Sequence, residues 1–240
     1  TVCISSQVGC VLYCSFCSTG SLGFKRNLNT GEIVDQLIYI RGNIDHPITN
    51  VVFMGMGEPF HNYDNVLNAA DIFHSPKGFN LASTRITIST AGLLPQINQY
   101  IDEKRRYKLA ISLNASHDGV RNKIMPINKK WNINNLIHTG RKYSNQKKRL
   151  VMFEYVLLKG INDSENDALE LARLLHGIPC KVNLIPYNET DGKYQRPDED
   201  VITRFSEILH ENRDGYRVLV RWSKGQDIDA GCGQLAGQTV

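Results

Sequence analysis

The sequence predicts an α/β protein in which six parallel strands alternate with helices to form a partial (β/α)6 barrel. Three observations support this fold class. Short runs of β-branched and apolar residues recur along the chain, stretches with helical periodicity separate them, and 240 residues suffice for one barrel domain. Such runs are typical of strands buried on both faces, as in parallel sheets. The alternation of strand and helix then favours a barrel, open or closed.

The six strands are expected at NVVFMG (50–55), RITIST (85–90), KLAISL (108–113), LVMFEYVLL (150–158), KVNLIP (181–186) and RVLVRW (217–222). The polar stretch 188–200 directly follows the fifth of them. It is therefore expected to be a loop at the C-terminal end of that strand, where barrels of this kind collect their catalytic residues.

Two helices have clear sequence signals. The first carries an apolar face at Ile33, Leu37 and Ile40. Ahead of it, Asn29 and Glu32 have the spacing of a capping box, with Asn in place of the usual Ser or Thr. The second helix is expected to begin near Asp163 as its cap, and its apolar stripe comprises Ala168, Leu171, Ala172 and Leu175.

The composition is that of an ordinary globular protein, with 41% hydrophobic and 22% charged residues. No stretch approaches the run of about 18 apolar residues that a membrane helix needs, and the N-terminus lacks the features of a secretory signal. Three of the six cysteines lie within eight positions, which fits metal binding in a reducing compartment better than a disulfide scaffold. A cytoplasmic protein is expected. The net charge of +4 does not by itself indicate nucleic acid.

The clustered cysteines are Cys10, Cys14 and Cys17, in the segment CVLYCSFC. Tyr13 and Phe16 stand between them and could shield a bound inorganic centre. A structural zinc site normally has four ligands, and Cys3 could be the fourth. A cubane iron–sulfur cluster held by three thiolates instead leaves one iron open to a small chelating molecule. Cysteine count alone separates the two poorly.

The C-x3-C-x2-C spacing, with an aromatic residue before the third cysteine, resembles the signature of the radical S-adenosylmethionine (SAM) superfamily. This resemblance implies a TIM-like barrel of the radical SAM type, a [4Fe–4S] cluster on the three cysteines, and SAM bound to the open iron. An electron from the cluster would cleave the sulfonium to give a deoxyadenosyl radical.

Six segments in one order extend the resemblance over the whole chain. They are CISSQVGC (3–10), FMGMGEP (53–59), ITIST (86–90), MPINKKW (125–131), NLIPYN (183–188) and DIDAGCGQLAG (227–237). Together they resemble the RlmN and Cfr family of RNA adenosine methyltransferases, and the GFKRNLN and NLIPY segments are more similar to the dual-specificity branch that methylates carbon 2. The resemblance implies 23S ribosomal RNA, and also transfer RNA, as substrates.

Site residues follow from the resemblance, position by position. The cofactor-binding residues would be Gly57, Glu58, Ser89, Ser112, Leu113, Asn114 and Asn188. Cys232 would take a methyl group from one SAM, lose a hydrogen atom from it to a radical formed from a second SAM, and join the methylene carbon to adenine. Cys3 would then release the product by forming a disulfide with Cys232. The glycines that flank Cys232 permit backbone excursions and close approach to a substrate.

Several expectations concern partners. Candidate RNA contacts are Lys25, Arg26, Lys129, Lys130 and the 188–200 loop with Tyr194 and Arg196. An electron donor such as flavodoxin or ferredoxin, a monomeric state and no membrane partner are also expected. By comparison with the family, the chain is expected to be one barrel domain, 1–240, without the N-terminal accessory domain and the general-base Glu ahead of it.

This sequence also differs from the family pattern in two motifs. The family's Ser-Leu-His reads Ser112-Leu113-Asn114 here, and the loop after Asn188 lacks the family's Pro-rich run. Three alternatives stay open at this point: methylation of carbon 8, radical chemistry on a substrate other than RNA, and a non-enzymatic RNA-binding module with structural zinc.

Overall fold

The computed structural model describes residues 1–147, 149–190, 193–222 and 231–234. Within them, seven parallel strands form one sheet in the order β1-β4-β5-β6-β7-β8-β9, and β2 and β3 form a separate antiparallel hairpin. The strands are β1 Val2–Cys3, β2 Gln7–Gly9, β3 Phe24–Asn27, β4 Val51–Phe53, β5 Ile86–Thr90, β6 Lys108–Ser112, β7 Val151–Leu157, β8 Cys180–Pro186 and β9 Tyr216–Val220.

Helices connect the strands of the main sheet. They are α1 Ser18–Ser21, α2 Thr30–Gly42, α3 Tyr63–His74, α4 Leu94–Asp102, α5 Asp118–Ile124, α6 Ile133–Lys147, α7 Glu165–Leu175 and α8 Glu199–Glu211. Single 3-10 turns lie at Pro59–Asn62, Ser83–Arg85 and Pro126–Lys129. Among the described residues, no helix is both long and apolar enough to cross a membrane.

The main sheet is strongly curved. Met54 follows β4, the second strand of the sheet, and Arg221 follows β9, the seventh. Five strand spacings would separate them by roughly 24 Å in a flat sheet, yet Arg221 Nη1 lies 3.8 Å from Met54 Sδ. The sheet therefore closes most of the way round, which confirms the predicted α/β barrel.

All six predicted strands are present, and the structure adds β1 at the edge of the sheet. A strand of two residues and a hairpin whose second strand is fully exposed carry no apolar run that could have been recognised. The capping box of α2 is as expected, with Asn29 Oδ1 accepting from Glu32 N and Glu32 Oε2 accepting from Asn29 N. The predicted cap of α7 is wrong by one residue: Ser164, not Asp163, caps this helix and forms a capping box with Asp167. The Asp163 side chain instead accepts from Gly160 N.

Candidate active site

One pocket, with a volume of about 180 Å³, opens at the C-terminal ends of the strands. Its lining brings together residues that are far apart in the chain. Nine of the predicted site residues line it: Cys10, Cys14, Cys17, Gly57, Glu58, Ser89, Ser112, Asn114 and Cys232. Because the strands are parallel, polar residues at their C-terminal ends meet at the same edge of the barrel.

The three clustered cysteines lie on the loop that connects β2 to α1, and all three are partly buried. The loop closes on itself, since Cys17 N donates to Cys14 O at 3.2 Å and Cys10 N donates to Gly23 O at 3.1 Å. Phe16 lines the pocket, as expected of a shielding residue. Tyr13 does not, because it is 60% exposed.

The arrangement of these thiols fits a cluster better than a single ion. Burial, with a smaller effect of the Cys17 thiol, raises the pKa of Cys10 to about 11. Burial and the Cys17 and Cys10 thiols also raise the pKa of Cys14. They are therefore near neighbours. Within the part of the chain that the structure describes, however, no three His, Cys, Asp or Glu side chains are placed to hold one metal ion. In a cubane cluster each thiolate binds a different iron, so the sulfur atoms need not converge on one point as in tetrahedral zinc.

Gly57 and Glu58 form a turn against the hairpin. Gly57 has φ +98°, and a Cβ there would lie 2.5 Å from Gln7 Cβ, so only glycine fits. The buried Glu58 carboxylate accepts from Phe60 N at 3.0 Å and from Ala91 N at 2.8 Å. Burial raises the pKa of Glu58 to about 7, against these hydrogen bonds, which lower it. The carboxylate can still accept from a cationic amino group in the pocket.

The remaining predicted cofactor contacts are placed unequally. Ser89 and Ser112 line the pocket at the ends of β5 and β6. Asn114 also lines it, but its Oδ1 accepts from Val156 N at 2.9 Å, so it also fixes the neighbouring strand. The Leu113 side chain is fully buried in the core and is not part of the pocket lining. Only the backbone of Leu113 lies near this site.

Cys232 stands on a turn of which the structure describes 231–234; the rest of the predicted motif 227–237 lies outside the described residues. Asn188 Nδ2 donates to Cys232 O at 2.9 Å, and Ser18 N donates to Gly233 O at 2.9 Å. A Cβ on Gly231 would lie 2.8 Å from Asn188 Nδ2. Gly231 is therefore needed for close packing of this turn, and Gly233 has φ +87°, which glycine adopts readily. Asn188 is buried and does not line the pocket.

Cys3 ends β1 and is exposed, and it does not line the pocket. Desolvation by the surrounding protein and, to a smaller extent, the neighbouring Cys232 thiol raise the pKa of Cys3 to about 11. Burial also raises the pKa of Cys232. The Arg221 guanidinium lowers the pKa of both thiols, so it favours the thiolate, which is the nucleophilic form. Arg221 has no sequence motif that could have singled it out.

A buried arginine ties the ends of β5 and β6 to the 3-10 turn Pro126–Lys129. Arg121 is fully buried and donates to the carbonyl oxygens of Ala91, Ser112 and Leu113 and to Asn128 Oδ1, at 2.7–3.0 Å. Burial lowers the pKa of Arg121 to about 10, so it stays protonated at neutral pH. Asn128 belongs to the MPINKKW segment. The structure thus gives this segment a role in shaping the pocket.

Replacing Arg121 by methionine is expected to lower the free energy of unfolding by roughly 3–5 kcal/mol, because four acceptors, three of them in buried hydrogen bonds, lose their donor. Urea denaturation of both proteins measures the difference. The matched control is Arg213→Met at an exposed position, which should change stability by less than about 0.5 kcal/mol. Equal losses of stability in the two variants would contradict this structural role of Arg121.

Glu154 is a pocket residue that the sequence reasoning missed. It lies within β7, is 4% exposed, and its Oε1 accepts from Asn183 Nδ2 at 2.9 Å. Burial raises the pKa of Glu154 to about 7, while Asn183 and Arg221 lower it. The available signal was a single acidic residue inside the apolar run LVMFEYVLL.

This raised pKa predicts a pH dependence of stability in the ligand-free protein. Between pH 4.5 and 7 the native state keeps the Glu154 proton that the unfolded chain has released, so stability falls as pH rises. Relative to Glu154→Gln, the native free energy of unfolding should drop by about 3 kcal/mol across this window, then level off. Urea denaturation at several pH values measures it. A difference between the two proteins that stays constant with pH would show that Glu154 is not perturbed.

The candidate RNA contacts also differ in their surroundings. Lys25, Lys129 and Lys130 are exposed, and Lys130 Nζ lies 4.6 Å from the centre of the Trp131 ring. Arg26 is paired with Glu32 through two hydrogen bonds, which compensates its charge. In the 188–200 loop, of which 191–192 lie outside the described residues, Tyr194 is tied to Ser15 at 2.7 Å.

Trp222 is a candidate contact that the sequence reasoning missed. The Arg196 guanidinium stacks 5.1 Å from the centre of its ring. Trp222 is 49% exposed and directly follows the pocket residue Arg221. This position suits an aromatic platform for a base.

The chain is similar to known proteins along its whole length. Residues 4–172 match the Radical SAM superfamily model. It is 46% identical over 239 residues to the dual-specificity RNA methyltransferase RlmN of Syntrophotalea carbinolica, covering 99% of this chain and 63% of that protein. It is 48% identical to a probable RlmN of Dictyoglomus turgidum, covering 98% and 68%. The chain thus spans about two thirds of the length of these curated relatives.

Solved structures are also similar to this chain. A radical SAM methyltransferase from Sphaerobacter thermophilus superposes with a TM-score of 0.92 at 45% identity, over 97% of this chain and 69% of that one. Streptococcus suis SuiB bound to SAM, at 13% identity and a TM-score of 0.69, shares the fold, over 96% of this chain and 55% of that one. The family match and the near-complete coverage at almost half identity show that the chain belongs to the radical SAM superfamily and, within it, to the RlmN family.

Proposed function

We infer that the chain methylates carbon 2 of an adenosine in RNA, with Cys232 as the methyl carrier. The observation that carries this proposal is the convergence of three thiols, an acidic turn and the fixed Cys232 turn on one pocket. The relatives named as RlmN RNA methyltransferases support RNA as the substrate class. Ribosomal RNA is the first candidate substrate and transfer RNA the second.

The donor set fits the cofactors of the superfamily. Cys10, Cys14 and Cys17 would hold a [4Fe–4S] cluster, and Glu58, Ser89, Ser112 and Asn114 would hold SAM beside it. When bound, these groups supply a methyl group, one electron, and a radical that removes a hydrogen atom. The protein would contribute position, exclusion of water and the two reactive thiols.

Adenine carbon 2 lies between two ring nitrogens and is electron-poor, so it cannot attack a sulfonium methyl group directly. In the proposed relay, the Cys232 thiolate attacks the methyl carbon of SAM, and the remainder of SAM leaves as a thioether. The methyl group on Cys232 would then lose one hydrogen atom to the radical, and its carbon would bond to adenine carbon 2. The ring would release a proton to solvent and return one electron to the cluster, which had supplied one to form the radical. Cys3 attacks the Cys232 sulfur, a disulfide forms, and the freed carbon takes a proton to become the product methyl group.

Several side chains support this relay. Arg221 favours the thiolate at Cys232 and Cys3, and Asn188 holds the backbone of Cys232 in place. The exposed Trp222 and the exposed Lys25, Lys129 and Lys130 would bind unpaired bases and phosphates. All six cysteines are free, and free thiols with an iron–sulfur cluster suit a cytoplasmic compartment, where flavodoxin or ferredoxin could donate electrons.

Mass spectrometry of nucleosides from RNA treated with reduced, cluster-loaded protein and SAM tests the proposal. 2-Methyladenosine is the expected product, first in 23S ribosomal RNA. 8-Methyladenosine would correct the position of attack. Release of deoxyadenosine without any methylated adenosine would overturn RNA as the substrate. One equivalent of zinc without iron or sulfide, after anaerobic purification, would overturn the enzyme itself.

A further inference from the structure

Glu154 has a carboxyl oxygen that nothing in the described structure uses. Its Oε1 accepts from Asn183, but its Oε2 is buried without a hydrogen-bond partner. Among the described residues, Glu154 also takes part in no ion pair within 4.0 Å. Leaving a buried carboxyl oxygen unpaired is unfavourable, so such an atom in a native pocket indicates a missing partner.

The position of Glu154 Oε2 indicates which kind of hydrogen-bond partner it can have. Glu154 is paired in register with Ser112 on β6 and with Asn183 on β8. Its backbone oxygen accepts from Leu113 N and Asn114 N at 2.9 and 3.2 Å, so the side chain lies beside the segment that lines the cofactor pocket. After burial and the charge of Arg221, the Glu154 carboxylate is the next influence on the pKa of the Cys232 thiol. Glu154 and Cys232 therefore line the same pocket and are close enough to interact electrostatically.

Above pH 7, where Glu154 is ionised in the ligand-free protein, its carboxylate oxygens accept hydrogen bonds and donate none, so the partner must carry an O–H or N–H group. Adenosine offers both, as ribose hydroxyls and as an exocyclic amino group. We propose that Oε2 of Glu154 accepts a hydrogen bond from an adenosine group bound in this pocket. This inference rests on the proposed function, which places two adenosine groups here: that of SAM and that of the target nucleotide.

The variant Glu154→Gln provides a sharp test, because Asn183 Nδ2 holds the glutamine oxygen towards itself. The amide nitrogen then takes the place of Oε2. Its N–H groups face the O–H or N–H group of the ligand, so the hydrogen bond cannot form. The matched control is Glu207→Gln, an exposed glutamate on α8. If the glutamine variant does not fold, Glu154→Asp replaces it, since the shorter side chain withdraws the acceptor.

Two measurements separate the two sources of adenosine. At pH 8, where Glu154 is ionised, anaerobic equilibrium dialysis gives the Kd for SAM, and steady-state kinetics at saturating SAM give the KM for a 23S ribosomal RNA transcript. A 10- to 100-fold weaker Kd for SAM, with the control unchanged, assigns the bond to the cofactor. An equally raised KM for RNA with unchanged SAM binding assigns it to the target nucleotide.

If both quantities stay within twofold of the native protein, the inference is wrong. SAM binding needs no RNA and no turnover, so that measurement decides by itself if the native protein methylates no RNA. The inference is then overturned by unchanged SAM affinity. Failure of the proposed function would appear as absent RNA methylation, whereas failure of this inference would appear as unchanged binding in the Glu154→Gln variant.

Discussion

Replacing Cys14 by alanine should leave the protein without bound iron and lower RNA methylation by at least about 1000-fold. The reason is structural. Cys14 stands between Cys10 and Cys17 on one closed loop, and two thiolates cannot hold a cubane cluster in a defined position. Without the cluster there is no electron to start radical chemistry, so the loss should affect SAM cleavage and RNA methylation alike. Iron and sulfide analysis after anaerobic reconstitution measures the first effect, and nucleoside mass spectrometry measures the second.

The chain offers a matched control in Cys180. This thiol is fully buried in β8, where burial raises its pKa to about 12, and it does not line the pocket. Cys180→Ala should keep its iron and its activity and cost only about 1 kcal/mol of stability, from the small cavity it leaves. A Cys14→Ala protein that still binds iron and cleaves SAM would remove the basis of the cluster assignment.

The strands of the barrel could be predicted from the sequence, because a buried strand in a parallel sheet needs a continuous apolar run. RITIST and KVNLIP show this directly, and β5 and β8 are buried along most of their length. The β2–β3 hairpin could not be predicted in this way. All four residues of β3 are exposed, so packing against the core imposes no pattern on them.

The residues of the candidate site also fall into two groups, those in local sequence motifs and those that only the fold brings together. The cysteine segment, GMGEP and AGCGQ are local in sequence, and the structure brings all three to one pocket. Glu154, Asn183 and Arg221 are single residues on three different strands or strand ends, and only strand register and curvature bring them together. Arg26 stays a predicted RNA contact, and the structure adds that the neighbouring Glu32 pairs with it.

Cys232→Ala should abolish methylation of both the protein and the RNA, again by at least about 1000-fold, because the methyl group then has no carrier. Intact mass measures the first effect: the native protein, purified after contact with SAM, should carry one methyl group that this variant lacks. The turn should survive the change, since its contacts run through the backbone at Cys232 O and Gly233 O and through Gln234, which donates to Glu189 O. Methylated RNA from Cys232→Ala would exclude the carrier role.

Cys3→Ala should behave differently, although both thiols lie near Arg221. The carrier remains, so the protein should still gain its methyl group and still attack the base. Without the second thiol the bond between Cys232 and the methylene carbon cannot break, and RNA should stay covalently attached to the protein. A shifted band on a denaturing gel, removed by ribonuclease, measures this. Because loss of Cys232 prevents the adduct and loss of Cys3 preserves it, the double variant should show no adduct. An adduct in the double variant would mean that another side chain attacks the base.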